Sequence, residues 1–164
     1  MAKTDHRPEF YPALSQGFSQ RLGKSEKEIM DSSVNIVKSL RFYNKCKNYF
    51  YHPYVLFNAH EHVLSQKIKD IRKSKKVDKF CKVFIDSGGF QLGNGADGEN
   101  KNWNREIALD WSERNGDIFP ILDQPLWNEY HRTFDEALDF TITSGEYYAK
   151  KRNRKYKNQI LNVI

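Results

Sequence analysis

Four short apolar runs, separated by stretches of helical character, constrain this chain more than any other feature. Tyr54-Val55-Leu56-Phe57 follows Pro53, and Val83-Phe84-Ile85 runs into Asp86. Ile118-Phe119-Pro120-Ile121-Leu122 runs into Asp123, and Ile160-Leu161-Asn162-Val163-Ile164 comes last. Continuous apolar runs of this length read as strands covered on both faces. The intervening segments carry helix periodicity. Glu61 to Lys73 holds Val63, Leu64, Ile68 and Ile71, and Arg105 to Arg114 sets Ile107, Ala108 and Trp111 on one side before Asn115-Gly116-Asp117 stops it. Thr133-Phe134-Asp135-Glu136 is a capping box that opens a helix through Ala137, Phe140, Thr141, Ser144 and Tyr148. An earlier capping box, Ser25-Glu26-Lys27-Glu28, precedes a stripe of Ile29, Val34, Ile36, Val37 and Leu40.

Strands alternating with helices predict parallel βα units, hence an α/β fold. About four units are visible and no internal repeat. Two strands end in an acid, and functional residues sit at the carboxyl ends of strands both in βα-barrels and at the switch point of doubly wound sheets. A full barrel takes about 250 residues. The expectation is therefore the N-terminal half of a TIM (β/α)8 barrel. It would form one partial domain over residues 1–164, lacking a barrel's C-terminal half, with an irregular N-terminal segment at 1–24 around Pro8, Pro12, Gly17 and Gly23.

Composition narrows the setting. The chain is 29% charged, with a mean hydropathy of −0.80, yet its 14% aromatic content argues against disorder. A net charge of +6 favours polyanionic partners, nucleic acid first, although a lysine-rich solvated surface gives the same number. The basic residues cluster twice. Lys67, Lys69, Arg72, Lys73, Lys75, Lys76 and Lys79 form one group, and Lys150, Lys151, Arg152, Arg154, Lys155 and Lys157 the other. Either group suits phosphate tracking or simply the solvated ends of helices. Cys46 and Cys81 belong to no CxxC pair, so no zinc site is visible, and both read as buried or indifferent thiols. The first ten residues lack a signal-peptide core, and no apolar stretch approaches the roughly 18 residues of a membrane span. A cytoplasmic protein with no membrane partner is expected.

The densest chemistry lies at the second strand's end. Asp86-Ser87-Gly88-Gly89-Phe90-Gln91 brings a carboxylate out of a buried strand and then strips the backbone bare. Gly88 and Gly89 permit a sharp turn and close approach by a flat ligand, Phe90 offers a stacking face, and Gln91 offers a donor and an acceptor. That combination suits a nucleobase. An ordinary βα turn can use the same residues. Asp123 is the second acid: one carboxylate can accept the N1–H and 2-amino donors of guanine side by side. Its bland counterpart is an Asx turn before Pro125. His60-Glu61-His62 also resembles the His-x-His pair of barrel metal hydrolases, with Asp86 or Asp123 as a further ligand, but surface or core-satisfied histidines at or near a helix start are the stronger reading.

The hexapeptide Asp86 to Gln91 resembles the signature of the tRNA-guanine transglycosylase family, the queuine and archaeosine tRNA-ribosyltransferases. These enzymes exchange guanine in a nucleic acid for a 7-deazaguanine base, and a related branch does so in DNA. Asn115-Gly116-Asp117-Ile118 through Asp123-Gln124-Pro125 is similar to the family's next strand and its guanine-reading Asp. Thr133 to Arg152 resembles the following helix, and Leu161-Asn162-Val163-Ile164 the strand that leads into a Gln-Gly motif. The resemblance covers about residues 80–164. It implies that Asp86 is catalytic, in proton transfer and positioning. Ser87, Gly88 and Gly89 would then shape the pocket, Phe90 would stack on the purine, Gln91 would hydrogen-bond the base, and Asp123 would read the guanine edge. It also implies partners: tRNA or DNA, and a 7-deazaguanine base.

The family's nucleophile is a second-half Asp that forms a covalent intermediate at the anomeric carbon, and its zinc site of cysteines and a histidine lies later still. Neither is expected within these residues, so no cofactor is expected in this chain. A longer parent chain or a second polypeptide would complete the barrel; a non-catalytic nucleic-acid-binding remnant is the alternative. Residues before about 80 match the tRNA enzymes poorly, which points toward the DNA-modifying or another divergent branch.

Overall fold

The computed structural model describes residues 10–13, 42–44, 51–89, 103–124 and 133–162. The four expected strands are present. β1 (Tyr54–Asn58), β2 (Lys82–Asp86), β3 (Ile118–Pro120) and β4 (Gln159–Leu161) form one sheet in the order β1-β2-β3-β4, every neighbouring pair parallel. Among the described residues a π-helical turn (Glu61–Ser65) and three α-helices lie between them: α1 (Ile71–Lys75), α2 (Arg105–Asn115) and α3 (Phe134–Lys151). The fold is α/β, and the sheet is open among the described residues.

Register explains the burial. Val55 pairs with Val83 and Phe57 with Ile85, and Phe119 pairs with Ile160, so these side chains share one face. Val55, Phe57, Val83, Ile85 and Phe119 are fully buried there. The helical layer covers this face. His62 sets its ring edge-on to Phe57 at 5.3 Å, Tyr148 of α3 lies 6.4 Å from Phe119, and Ala108, Leu109 and Trp111 of α2 join the same core. The opposite face holds Tyr54, Leu56, Asn58, Phe84 and Asp86 and is half-buried. Tyr11 packs on it, 4.9 Å from Tyr54 and 5.5 Å from Phe84, while Ala13 bridges to Leu56 in parallel.

α2 and α3 form where the sequence places them. Asn104 caps α2, its side chain accepting from the N–H groups of Glu106 and Ile107, and the Thr133–Glu136 capping box is complete in both directions. The helix expected over Glu61 to Lys73 is broken, and tertiary hydrogen bonds are the reason. Trp111 donates its indole N–H to the Ile68 carbonyl at 2.7 Å. Asn115 accepts from Ile71 N–H at 2.9 Å and donates to the Lys69 carbonyl at 3.3 Å. These bonds take backbone groups that a continuous helix would have used itself. Lys67 turns left-handed with φ of 52°, and Asp70 starts α1 afresh by accepting from Lys73 N–H.

The third strand is shorter than its apolar run: regular pairing ends at Pro120, although Ile121 N–H still reaches the Leu161 carbonyl at 2.9 Å. Cys81 is buried and free, and burial pushes its thiol up to about 12. No helix among the described residues is long and apolar enough to cross a membrane. Cys46 and the first capping box lie outside the described residues.

Candidate functional site

Parallel strands all end at the same edge, so the polar residues that follow them gather there. Asn58 and Asp86 are register partners at the carboxyl ends of β1 and β2, both on the face turned away from the helices. Asn58 donates its side-chain N–H to Asp86 Oδ2 at 2.7 Å. The same amide is fixed from behind, its Oδ1 accepting from Glu61 N–H at 3.0 Å. The backbone carbonyl of Asn58 accepts from His62 Nδ1 at 2.6 Å. Asp86 is thus a half-buried carboxylate held at a fixed orientation, and Gly88 N–H lies 3.4 Å from its other oxygen.

Ser87, nearly fully buried, links the two acids' strands. Its hydroxyl donates to Asp123 Oδ1 at 3.0 Å and accepts from Gly89 N–H at 3.2 Å. Among the described residues Asp123 Oδ2 takes no hydrogen bond, and an ionised carboxylate has capacity for about four. The two glycines are needed for contact, each in a different way. Gly88 has φ of +74°, and a Cβ there would lie 2.6 Å from His60 Cβ. Gly89 presses on Asp123: a Cβ would lie 2.6 Å from its Oδ1 and overlap its carbonyl oxygen. The bare backbone foreseen for a ligand's approach is therefore also what lets the second and third strand ends meet.

The arrangement brings together Asp86, Ser87, Gly88, Gly89 and Asp123. Phe90 and Gln91 lie outside the described residues. Sequence reasoning missed Asn58, although it occupies the place Asp86 and Asp123 occupy, the polar residue ending an apolar run. It also passed over Trp103, which walls the site beside Gly88. Its ring stands edge-on to His60 at 5.4 Å, and its indole N–H is buried with no hydrogen-bond partner among the described residues.

The histidine pair divides in two directions. His62 is fully buried, stacked on Trp111 at 6.1 Å and bonded to Asn58, while His60 faces Trp103. Burial, with the charge of Lys75 adding to it, lowers the His62 pKa. Among the described residues no three His, Cys, Asp or Glu side chains are grouped as a metal ion requires.

The chemistry available is recognition of a planar donor pair. Two carboxylates stand at adjacent strand ends joined by a closely packed glycine turn, one clamped by an amide and the other with an open oxygen. No family model, no curated protein and no solved structure matches this chain.

Proposed function

We propose that this chain is guanine transglycosylase-like and supplies the base-recognising part of an enzyme that exchanges guanine in tRNA or DNA for a 7-deazaguanine base. The observation that carries the reading is the Ser87 bridge, which holds Asp123 at the end of β3 next to the strand end bearing Asp86. In this reading Asp123 accepts the N1–H and 2-amino group of guanine through its open oxygen and the remaining lone pair of Oδ1. Asp86, held by Asn58, manages the proton of the departing or entering base. The glycosidic bond breaks as a nucleophile attaches to C1′ of the sugar, and the incoming base then displaces that nucleophile. The nucleophilic carboxylate comes from a longer parent chain or a second polypeptide.

The architecture proposed with it is the N-terminal half of a (β/α)8 barrel. Sequential strand order with the described helices packed on one face fits a barrel wall, whereas a doubly wound sheet reverses its order and carries helices on both faces. An apolar cleft of about 530 Å³ beside α3, lined by Ile121, Leu138, Ile142 and Ala149, lies where the next βα unit of a barrel would pack.

The test is base binding joined to a labelled-guanine exchange assay. The chain should prefer guanine to adenine, and Asp123→Asn should reduce that preference by about tenfold or more, the scale of one bidentate hydrogen-bonded pair. Equal affinity for the two purines overturns the reading. Guanine-selective binding without exchange, even when a barrel-completing polypeptide is added, supports the non-catalytic remnant instead.

A further inference from the structure

The two basic clusters, far apart in sequence, converge at the pole of the sheet opposite the acids. Each helix runs back against the strands, so the end of α1 and the end of α3 both return to the strands' amino ends. Lys79, Phe80 and Lys82 precede or begin β2 there, and Arg154, Lys155, Tyr156 and Lys157 precede β4. Their meeting is direct: Arg72 of one cluster and Lys157 of the other line a single cleft of about 230 Å³, with Arg114 and Tyr156 also in its wall.

Of the acids at this pole, Asp78 accepts from Phe80 N–H at 2.9 Å. Asp117 accepts from Arg72 at 2.5 Å and from Val83 N–H at 2.7 Å, and Asp110 pairs with Arg114. Glu113 is buried and accepts from Asn153 N–H at 2.7 Å. Among the described residues no carboxylate pairs with the exposed Lys79, Arg154, Lys155 or Lys157. Two aromatic rings stand among these cations. Phe80 is 71% exposed with the Lys79 ammonium 4.8 Å from its centroid, and Tyr156 has Lys155 at the same distance. An unburied phenylalanine beside the exposed Lys79 contributes little to packing, but the pair matches what an unpaired strand needs: charge for the phosphates and a flat face for the bases.

We propose that this pole is a contact surface for single-stranded nucleic acid, with Phe80 as a stacking platform and Lys79, Arg154, Lys155 and Lys157 following the phosphates. The inference goes beyond the base-exchange reading and uses none of its residues. Strand β2 spans about 17 Å at about 3.3 Å per residue, so one strand of a few nucleotides can reach from this pole to the acids.

The experiment uses the full chain and a fluorescently labelled oligothymidylate, which contains no guanine and so reports on this surface alone. Binding should weaken with salt, at a log–log slope of about −2 for three phosphates contacted. Lys155→Glu with Lys157→Glu should flatten that slope and lower affinity. Phe80→Ala, at an exposed position that folding does not need, should lower affinity about fivefold or more at an unchanged slope. Asp123→Asn should bind oligothymidylate as the parent does, whatever becomes of its guanine preference. Absence of binding overturns the proposal. So does binding that Phe80→Ala leaves intact and heparin displaces equally well, the behaviour of a surface for acidic proteins or other polyanions.

Discussion

At the scale of single residues, the site is organised by what is missing as much as by what is present. Gly89 lets the β2 end close on Asp123, and Ser87 can bridge only because that approach is made. Gly89→Ala therefore has to push apart two backbone segments, since the new methyl meets the Asp123 carbonyl as well as its carboxylate. The expected loss is about 1–3 kcal/mol of stability, the usual scale of overpacking, together with loss of purine preference. Urea denaturation and base titration read these separately. An alanine variant as stable as the parent would mean that the two strand ends are not in contact. Asn58 shows a subtler residue-scale effect. Its side chain clamps Asp86 while its own backbone carbonyl anchors His62, so one residue couples a candidate catalytic carboxylate to the buried turn behind it.

At the scale of elements, two kinds of helix definition operate. α3 is specified locally, by a capping box written in four consecutive residues. The segment between the π turn and α1 is specified from a distance, by Trp111 and Asn115 of α2. Truncation should distinguish them. Thr133→Ala removes an exposed cap and should cost about 1 kcal/mol. Asn115→Ala strands the buried Ile71 N–H without its acceptor and should cost about 1–3 kcal/mol. Hydrogen exchange should quicken near Ile71 in the Asn115 variant and at the start of α3 in the Thr133 variant. The reverse pattern would refute this division of labour. The apolar stripe of Glu61 to Lys73 is real, since Ile71 is buried and Val63, Leu64 and Ile68 pack on the core. Its periodicity was met by two short elements, because neighbouring side chains offered its backbone better partners than helix continuation did.

At the scale of the whole molecule, charge and polarity separate along the strand direction. Asp86, Asp123 and the bare glycines gather at the carboxyl ends, and Lys79, Phe80, Arg154, Lys155 and Lys157 at the amino ends. The basic clusters are trimmed by folding: Lys75 is fully buried and donates to Gln66 Oε1 at 2.6 Å, and Arg72 is bound to Asp117. Folding also buries His62 in its neutral form. Its pKa in the native protein lies below the ordinary value near 6.5, so the unfolded chain takes up a proton that the native one refuses. Stability should be full above about pH 6.5 and fall as the pH drops below it. Thermal denaturation at stepped pH measures this, and His62→Gln, which cannot titrate, should flatten the dependence between pH 7 and about 5.5. A slope unchanged in that variant would assign it to another group.

The sequence by itself determined the strands, α2, α3 and the α/β class. Apolar runs, caps and stop signals are local, and their physics is complete within a few residues of chain. It also singled out Asp86, Ser87, Gly88, Gly89 and Asp123, because a polar residue that ends a buried strand is visible in the order of letters. Only the tertiary structure decided that Asn58 and Trp103 join them, that the helix after β1 breaks, and that Lys75 is buried among the residues of a basic run. Each of these depends on a hydrogen bond or a contact made across many residues of chain, and no local pattern encodes which distant group will arrive.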